Sequence, residues 1–119
     1  MKSCEISDKS PSPEQVARLK KIMARLPDED ELQNESEMFK AISDPTRLKI
    51  LYLLVDGELC ACEIICALKK PQSTISHHLN ILKNASFIKG RKEGVWIHYK
   101  LSNIKIIELL EELTKSIRV

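Results

Sequence analysis

The sequence changes its hydrophobic period near Phe87, and this change constrains the fold more than any other feature. Before it, Ile75, Leu79 and Leu82 stand four and three residues apart, which is typical of a helix that buries one face. After it, apolar and polar residues alternate through 95–101, which predicts a strand. The chain therefore has to join a helix directly to a β-hairpin.

The elements before and after this change follow from spacing, caps and breakers. Asp44-Pro45-Thr46 is a strong helix start because an Asp side chain caps free backbone N–H groups and proline suits the first helical position. Residues 28–37 are acidic and predict a solvated linker that runs into a helix face. Leu32, Met38, Phe39 and Ile42 are expected to point inward. The predicted helices cover 14–26, a stretch ending near 42, 45–55, 60–68, 71–84 and 103–117, and the predicted strands cover 88–92 and 95–101.

A short helix, a tight Lys69-Lys70 connector and a helix with a polar start form a helix-turn-helix. The hairpin that follows, with its predicted turn at Glu93-Gly94, is a wing. The predicted fold class is mainly α with a β-hairpin wing, a winged helix-turn-helix. We expect residues 1–13 to form a flexible N-terminal arm and residues 14–119 to form one domain. The last helix has an apolar stripe made of Ile106, Leu109, Leu110, Leu113 and Ile117.

The charge of the chain is unevenly distributed. The formal net charge is +2, but residues 69–100 hold seven bases against the single acid Glu93 and also hold all three histidines. This basic third predicts a polyanionic partner, namely double-stranded DNA.

Several function classes are excluded by what the sequence lacks. No apolar run approaches the roughly 18 residues of a membrane span, and the first residues do not resemble a signal peptide, so we expect a cytoplasmic protein without a membrane partner. The cysteines are then expected to be thiols rather than disulfides. Only three glycines are present, and none lies in a phosphate-binding loop or a catalytic motif. We therefore expect neither an enzyme nor an organic cofactor.

The second helix of the predicted helix-turn-helix carries short polar side chains opposite its apolar face. Gln pairs with adenine in two hydrogen bonds, and Ser or Thr meets several bases or phosphates. On the wing, basic side chains suit phosphates or a minor groove. The predicted DNA-binding residues are Gln72, Ser73, Thr74, Ser76, His77, Arg91 and Lys92. We assign His78 to packing or a phosphate contact, and we assign Trp96 and His98 to packing or a dimer surface.

The four cysteines are Cys4, Cys60, Cys62 and Cys66. Thiolates select soft ions such as Cd(II), Pb(II), Zn(II), Cu(I) or trivalent arsenic. Two residues along a regular helix correspond to about 200° of rotation, so Cys60 and Cys62 can share an ion only if Cys60 lies at the irregular start of the helix. Cys62 and Cys66 lie four residues apart on one face.

Four motifs together resemble the ArsR/SmtB family of winged-helix metalloregulatory repressors. They are Ser43-Asp44-Pro45-Thr46-Arg47-Leu48-Lys49-Ile50-Leu51, Glu58-Leu59-Cys60-Ala61-Cys62-Glu63-Ile64, Ser73-Thr74-Ile75-Ser76-His77-His78-Leu79, and Arg91-Lys92-Glu93-Gly94 followed by Tyr99. They span about residues 36–117 in the family's order. The resemblance implies a homodimer built by the first and last helices. It also implies a cytoplasmic repressor that leaves its operator DNA when a metal ion binds.

The same resemblance implies alternative ligand sets. Arsenic-sensing members, which respond to arsenite or antimonite, place a third cysteine three residues after the second one, where this chain has Ile65 and then Cys66. Cadmium and lead sensors use a Cys-Glu-Ile sequence in the arm, which Cys4-Glu5-Ile6 matches. The resemblance therefore assigns the metal to Cys60 and Cys62, completed by Cys66 or by Cys4. The family's zinc site on the last helix is not matched, because Asn103-Ile104-Lys105 replaces its Asp-x-His pair.

Two other readings of the thiols compete with metal sensing. A redox sensor of the same fold would use a disulfide or persulfide among Cys60, Cys62 and Cys66, although the pair at 62 and 66 could bridge only by distorting its helix. A metal-buffering or catalytic thiol protein without DNA is disfavoured by the polar helix face and the basic wing.

Overall fold

The computed structural model describes residues 10–118, which divide into two compact units between Asn34 and Glu35. The prediction of one domain over 14–119 stays a prediction. No helix in this described stretch is long and apolar enough to cross a membrane. The helices are α1 (Pro13–Ala24), α2 (Glu29–Ile42), α3 (Pro45–Leu53), α4 (Ala61–Leu68), α5 (Gln72–Asn84) and α6 (Lys105–Ile117), and the strands are β1 (Leu59–Cys60), β2 (Ile88–Glu93) and β3 (Trp96–Leu101).

Helix α1 begins at Pro13, one residue before the predicted start, because Ser12 caps it. The Ser12 hydroxyl accepts from the backbone N–H of Gln15 at 3.2 Å, and the Gln15 side chain accepts from the Ser12 N–H at 2.8 Å. This reciprocal capping box satisfies two free backbone donors. Pro13 therefore belongs to the helix and not to the arm. The apolar side chains of this segment are exposed, namely Leu19, Ile22, Met23 and Leu26.

The acidic stretch is helical, so the predicted linker over 28–37 is wrong. Asp28 accepts from the backbone N–H of Glu31 at 2.8 Å, and carboxylates in a first turn are stabilised by the helix dipole. The predicted inward face is also wrong, since Leu32, Met38 and Phe39 are exposed. Only the end of α2 meets the core, where Ala41 is buried and Ile42 is half-buried.

The core of the second unit lies under α3, α4, α5 and the sheet. Asp44 caps α3 as predicted, accepting from the Arg47 N–H at 3.0 Å, with Pro45 in the first turn. The helix is shorter than predicted, because a 3-10 turn covers Leu54–Asp56. The period of α5 is confirmed, since its three apolar residues are buried. The most deeply buried side chains are Ile50, Leu51, Leu54, Ile64, Ile75, Leu79, Leu82 and Ile88.

The junction between α5 and the wing is a tight helix end. Ser86 adopts the left-handed conformation, with φ of 67°. The N–H of Phe87 donates to the carbonyl of Leu82 at 3.0 Å, and the N–H of Ser86 donates to the carbonyl of Lys83 at 3.0 Å. This Schellman pattern satisfies two carbonyls at the end of the helix. It lets the chain pass from helix to strand where the hydrophobic period changes.

The sheet has three antiparallel strands in the order β1-β3-β2. The turn of the wing lies at Gly94 and Val95, one residue later than predicted, with φ of 65° at Gly94. Val95 is therefore 92% exposed and lies outside the strand face to which it was assigned. The rest of that face is confirmed, because Tyr99 is buried and Ile97 and Leu101 pack on the core. Strand β1 was not predicted, since two residues are too few to show alternation.

Helix α6 begins at Lys105, two residues later than predicted, and its cap is Ile104 rather than the predicted Asn103. The Asn103 side chain still accepts from the Lys105 N–H at 2.9 Å. Its apolar stripe is divided. Ile106 and Leu110 are half-buried, and Ile107, which was not predicted, is buried. The exposed members of the stripe are Leu109, Leu113 and Ile117.

Candidate nucleic-acid interface and thiol pair

The exposed face of α5 carries most of the predicted DNA-binding side chains. Ile75 and Leu79 fix the opposite face in the core, so the rotation of the helix is determined by burial. Thr74 is half-buried, closer to the core than its neighbours. The fully exposed members of the predicted set are Gln72, Ser73, Ser76 and His77. Their place on one accessible face is what base or phosphate contact requires.

A polar network joins α5 to the start of α3. Arg47 donates from Nε to the carbonyl of Ala41 at 2.6 Å and from Nη1 to Nδ1 of His78 at 3.2 Å. Arginine has no acceptor, so His78 Nδ1 accepts and the ring carries its proton on Nε2. The carboxylate of Asp44 lies 3.9 Å from the same Nδ1. The packing role predicted for His78 is thus supplied by a hydrogen bond as well as by burial.

Two ionisable groups of this network have shifted pKa values. Burial lowers the pKa of His78, and the charge of Arg47 adds to this while Asp44 opposes it. The backbone N–H of Arg47 lowers the pKa of Asp44 by hydrogen bonding to its ionised form. The network therefore holds a neutral histidine against a charged cap.

On the wing, the two predicted basic residues are placed differently. Lys92 is exposed. Arg91 forms an ion pair with Glu58, with Nη2 at 2.5 Å from Oε1 and Nε at 3.3 Å from Oε2, and its Nη1 lies 3.0 Å from Oε2 of Glu93. These carboxylates raise the pKa of Arg91, and the hydrogen bond from Arg91 lowers the pKa of Glu58. DNA contact by Arg91 stays a prediction, and a phosphate would have to replace these carboxylates.

The thiols of Cys60 and Cys62, here called the thiol pair, lie at the start of α4. The helix begins at Ala61, one residue later than predicted, and Cys60 is its cap, with extended φ of −70° and ψ of 146°. Its sulfur accepts from the Cys62 N–H at 3.3 Å, and its own N–H donates to Glu63 at 2.8 Å. Because Cys60 lies outside the helix, the opposed directions expected of a regular helix do not apply.

One group of the thiol pair, Cys62, has a shifted pKa. A hydrogen bond with the Cys60 thiol raises the pKa of Cys62, and burial adds to this effect. Cys60 is buried and Cys62 is half-buried. Two neighbouring cysteine thiols can jointly bind one soft cation after deprotonation. The thiol pair therefore supplies two of the ligands that a soft metal or metalloid ion requires.

The structure does not complete the site at the thiol pair within residues 10–118. Cys66 is exposed on α4, and Cys4 lies outside the described residues. Over residues 10–118, no three Cys, His, Asp or Glu side chains converge to hold a metal ion. Completion of the site by Cys66 or Cys4 stays a prediction.

Sequence reasoning did not assign a role to Glu58, although it stands within the quoted Glu-Leu-Cys motif. The structure places it beside Arg91 and 3.9 Å from Nδ1 of His98. His98 also lies 3.4 Å from Glu93. The pairing of β1 with β3 brings these groups together. A strand of two residues gives no periodic signal that could have predicted this.

The helix-turn-helix of α4 and α5, followed by a hairpin, defines a winged helix-turn-helix regulator. Residues 44–89 match the family described as bacterial regulatory protein, arsR family. The chain is 52% identical over 88 residues to an uncharacterized HTH-type transcriptional regulator of Methanocaldococcus jannaschii, covering 71% of this chain and 99% of that one. It is 39% identical to a cadmium resistance transcriptional regulatory protein CadC homolog of Staphylococcus aureus, covering 83% of this chain and 79% of that one.

Solved structures show the same architecture. One is the homodimeric winged helix-turn-helix DNA-binding domain of a possible ArsR-family regulator from Mycobacterium bovis, with a TM-score of 0.67, 26% identity, and coverage of 77% of this chain and 90% of that one. The chain belongs to the ArsR family of transcriptional regulators. The predicted fold class and the expectation of a regulator rather than an enzyme are confirmed.

Proposed function

We propose that this protein is a repressor that binds operator DNA and releases it when a soft metal or metalloid ion binds the thiol pair. The observation that carries the proposal is the place of Cys60 at the cap of α4, where its sulfur accepts from the backbone N–H of Cys62 at 3.3 Å. This helix is the first of the helix-turn-helix, and it packs against α5. An ion that draws the thiolates together changes the start of α4 and so reaches the DNA-binding helix.

The inducing ion is drawn from those that thiolates select: Cd(II), Pb(II), Zn(II), arsenite or antimonite. A stable site for these ions needs a third ligand beyond the thiol pair. Cys4 from the arm supplies it in a cadmium or lead site, and Cys66 supplies it in an arsenite site. Similarity to a cadmium resistance regulator supports the first arrangement, and so does the finding that Cys66 does not join the thiol pair in a group of three ligands within the described residues.

The DNA face comprises α5 and the wing. Gln72, Ser73, Thr74, Ser76 and His77 enter the major groove in this proposal, and Arg91 and Lys92 contact phosphates or the minor groove. Support comes from the accessible face of α5, which is fixed by buried residues behind it. The wing adds positive charge, since it belongs to the same basic segment of the sequence, residues 69–100.

The functional unit is a homodimer formed through α1 and α6. The exposed apolar residues Leu109, Leu113 and Ile117 of α6 support this, because large exposed apolar stripes mark interaction surfaces. The homodimeric structure from Mycobacterium bovis is a precedent for the fold. We expect Leu113→Lys to lower the dimer fraction in sedimentation velocity, with Lys115→Gln as the control. Equal dimer fractions in both variants would contradict this.

The test is fluorescence anisotropy with a duplex from the promoter of the gene itself, in low and high salt. The wild type should bind more weakly as salt rises, because phosphate contacts release counterions. Saturating Cd(II), Pb(II) or arsenite should then weaken binding by at least about tenfold, which corresponds to a coupling of about 1.4 kcal/mol. Cys4→Ser and Cys66→Ser identify the third ligand by which of them abolishes the response to a given ion. No binding at low salt would reject the DNA function, and no response to any ion would reject metal sensing.

Redox sensing at the same thiols remains the second candidate, because both cysteines of the thiol pair are free and stand two residues apart at the start of α4. Redox sensing and metal sensing differ in what releases the DNA. If an oxidant releases DNA from reduced, metal-free protein and no soft ion does, redox sensing replaces metal sensing as the function.

A further inference from the structure

The ion pair between Glu58 and Arg91 occupies the wing arginine in the DNA-free protein. Two nitrogens of the guanidinium face the two oxygens of Glu58, at 2.5 and 3.3 Å, and the third faces Glu93 at 3.0 Å. About half of the Arg91 side chain is exposed, at 53%. The group is therefore accessible to a ligand but already bound by two carboxylates.

Glu58 stands next to strand β1 and two residues before Cys60. Across the sheet, Cys60 pairs with His98, and His98 pairs with Arg91. The residue of the thiol pair and the wing arginine thus lie in one row of the three-stranded sheet. Glu58, directly before β1, also contacts Arg91 of β2. This side-chain contact is a second connection across the sheet.

A phosphate and a carboxylate use the same donors of a guanidinium, in the same forked geometry. Glu58 and a DNA phosphate therefore compete for Arg91 and cannot both hold it fully. An exposed pair of this kind is weak and exchangeable. A small displacement of the segment that carries Glu58 is enough to favour one partner over the other.

We propose that Glu58 is a positioning residue for DNA binding, which holds Arg91 away from DNA in the free protein and releases it to phosphate on the operator. Ion binding at Cys60 then opposes DNA binding by fixing Glu58 on Arg91. This second part rests on the proposed function. By linkage, whatever favours the Glu58–Arg91 pair weakens DNA binding, and DNA binding weakens the pair.

The first part is tested without any metal, by anisotropy on wild type, Glu58→Gln, Arg91→Gln and the double variant. Glu58→Gln should tighten operator binding by about two- to fivefold, the scale of an exposed ion pair. Arg91→Gln should weaken binding and reduce the salt slope by about one. In the Arg91→Gln background, Glu58→Gln should have no further effect. Equal tightening in both backgrounds, or no tightening, overturns the proposal.

Glu93→Gln is the matched control, because Glu93 also contacts Arg91 but lies at the end of β2, away from the thiol pair. In a Cd(II) titration, Glu58→Gln should reduce the ion-induced loss of affinity at least about twofold relative to wild type. Glu93→Gln should leave that loss unchanged. Equal effects of the two variants would overturn the link between Cys60 and the wing.

The two proposals fail in different ways. If Cd(II), Pb(II) and arsenite leave the wild type bound to DNA, metal sensing is rejected. The comparison of wild type, the two single variants and the double variant without metal still decides the role of Glu58. If the ions release DNA and the cycle shows no coupling between positions 58 and 91, metal sensing stands and Glu58 has no positioning role. Thermal melts of each variant confirm that the fold is retained.

Discussion

The DNA-binding helix and the wing are held in place by different forces. Helix α5 is anchored by Ile75, Leu79 and Leu82, which have 0–1% exposure. The outer part of the wing, residues 89–96, is exposed and is held by ladder hydrogen bonds and by ion pairs around Arg91, whereas Tyr99 on the inner strand is buried. Burial fixes a helix permanently, whereas exposed ion pairs exchange with other partners. We therefore expect α5 to be a rigid DNA-binding surface and the outer wing to be an adjustable one.

The largest expected effect comes from removing the anchor of α5. Leu79→Ala should destabilise the protein by about 2–5 kcal/mol, since it deletes buried methyl groups and leaves a cavity. Urea unfolding measures this. Asn80→Ala, at the next and exposed position, should change stability by less than about 0.5 kcal/mol. Similar losses in the two variants would remove the contrast between a buried and a free face of the helix.

A second anchor of α5 is polar. Arg47→Gln should cost about 1–3 kcal/mol, because the carbonyl of Ala41 and Nδ1 of His78 lose their donor in a half-buried place. Lys49→Gln, on the exposed side of α3, is the matched control. Equal melting temperatures for wild type and Arg47→Gln would show that burial alone positions the helix.

In the wing, the turn has the strictest backbone requirement, because Gly94 adopts a positive φ. Gly94 has φ of 65°, so Gly94→Val should cost about 1–2 kcal/mol through steric strain. Gly94→Asn should cost less, because asparagine tolerates this conformation. A Cβ at Gly94 meets no atom within 4 Å, so the difference reports backbone strain and not a clash. Hydrogen exchange of the strand amides measures it, and equal exchange in the two variants would contradict the account.

The smallest effect concerns pH. The pKa of His78 is lowered by burial, so the unfolded chain binds more protons than the folded chain near the ordinary value of 6.5. Stability from this group is therefore complete above 6.5 and is lost as pH falls from 6.5 through the lower folded pKa. His78→Asn keeps an acceptor for Arg47 but should lose this part of the pH dependence, which lies below pH 6.5. An unchanged slope would contradict the role of His78.

Prediction from sequence succeeded where periodicity or caps carry the signal. The change of period at Phe87 located α5 and the hairpin, and Asp44 marked the start of α3 correctly. It failed over residues 28–37, where an acidic helix start resembles a solvated linker in composition. The acidic residues after Asp28 form a helix because a first turn favours carboxylates, which composition alone does not distinguish from a linker.

The candidate site shows the same division. The condition that Cys60 lie outside the regular helix was set by geometry and is met by its extended cap conformation. The arrangement of Glu58, Arg91 and His98 depends on strand pairing across 33 to 40 positions of sequence, and no local pattern reports it.

The most direct test of the central claim is to titrate Cd(II) into protein bound to operator duplex while recording anisotropy and the ultraviolet charge-transfer absorption of Cd–thiolate bonds together. Both signals should change at the same ratio of ion to protein in the wild type. Both should be lost in Cys60→Ser and in Cys62→Ser. Release of DNA by Cd(II) in either variant, or thiolate ligation in the wild type without release, would contradict it.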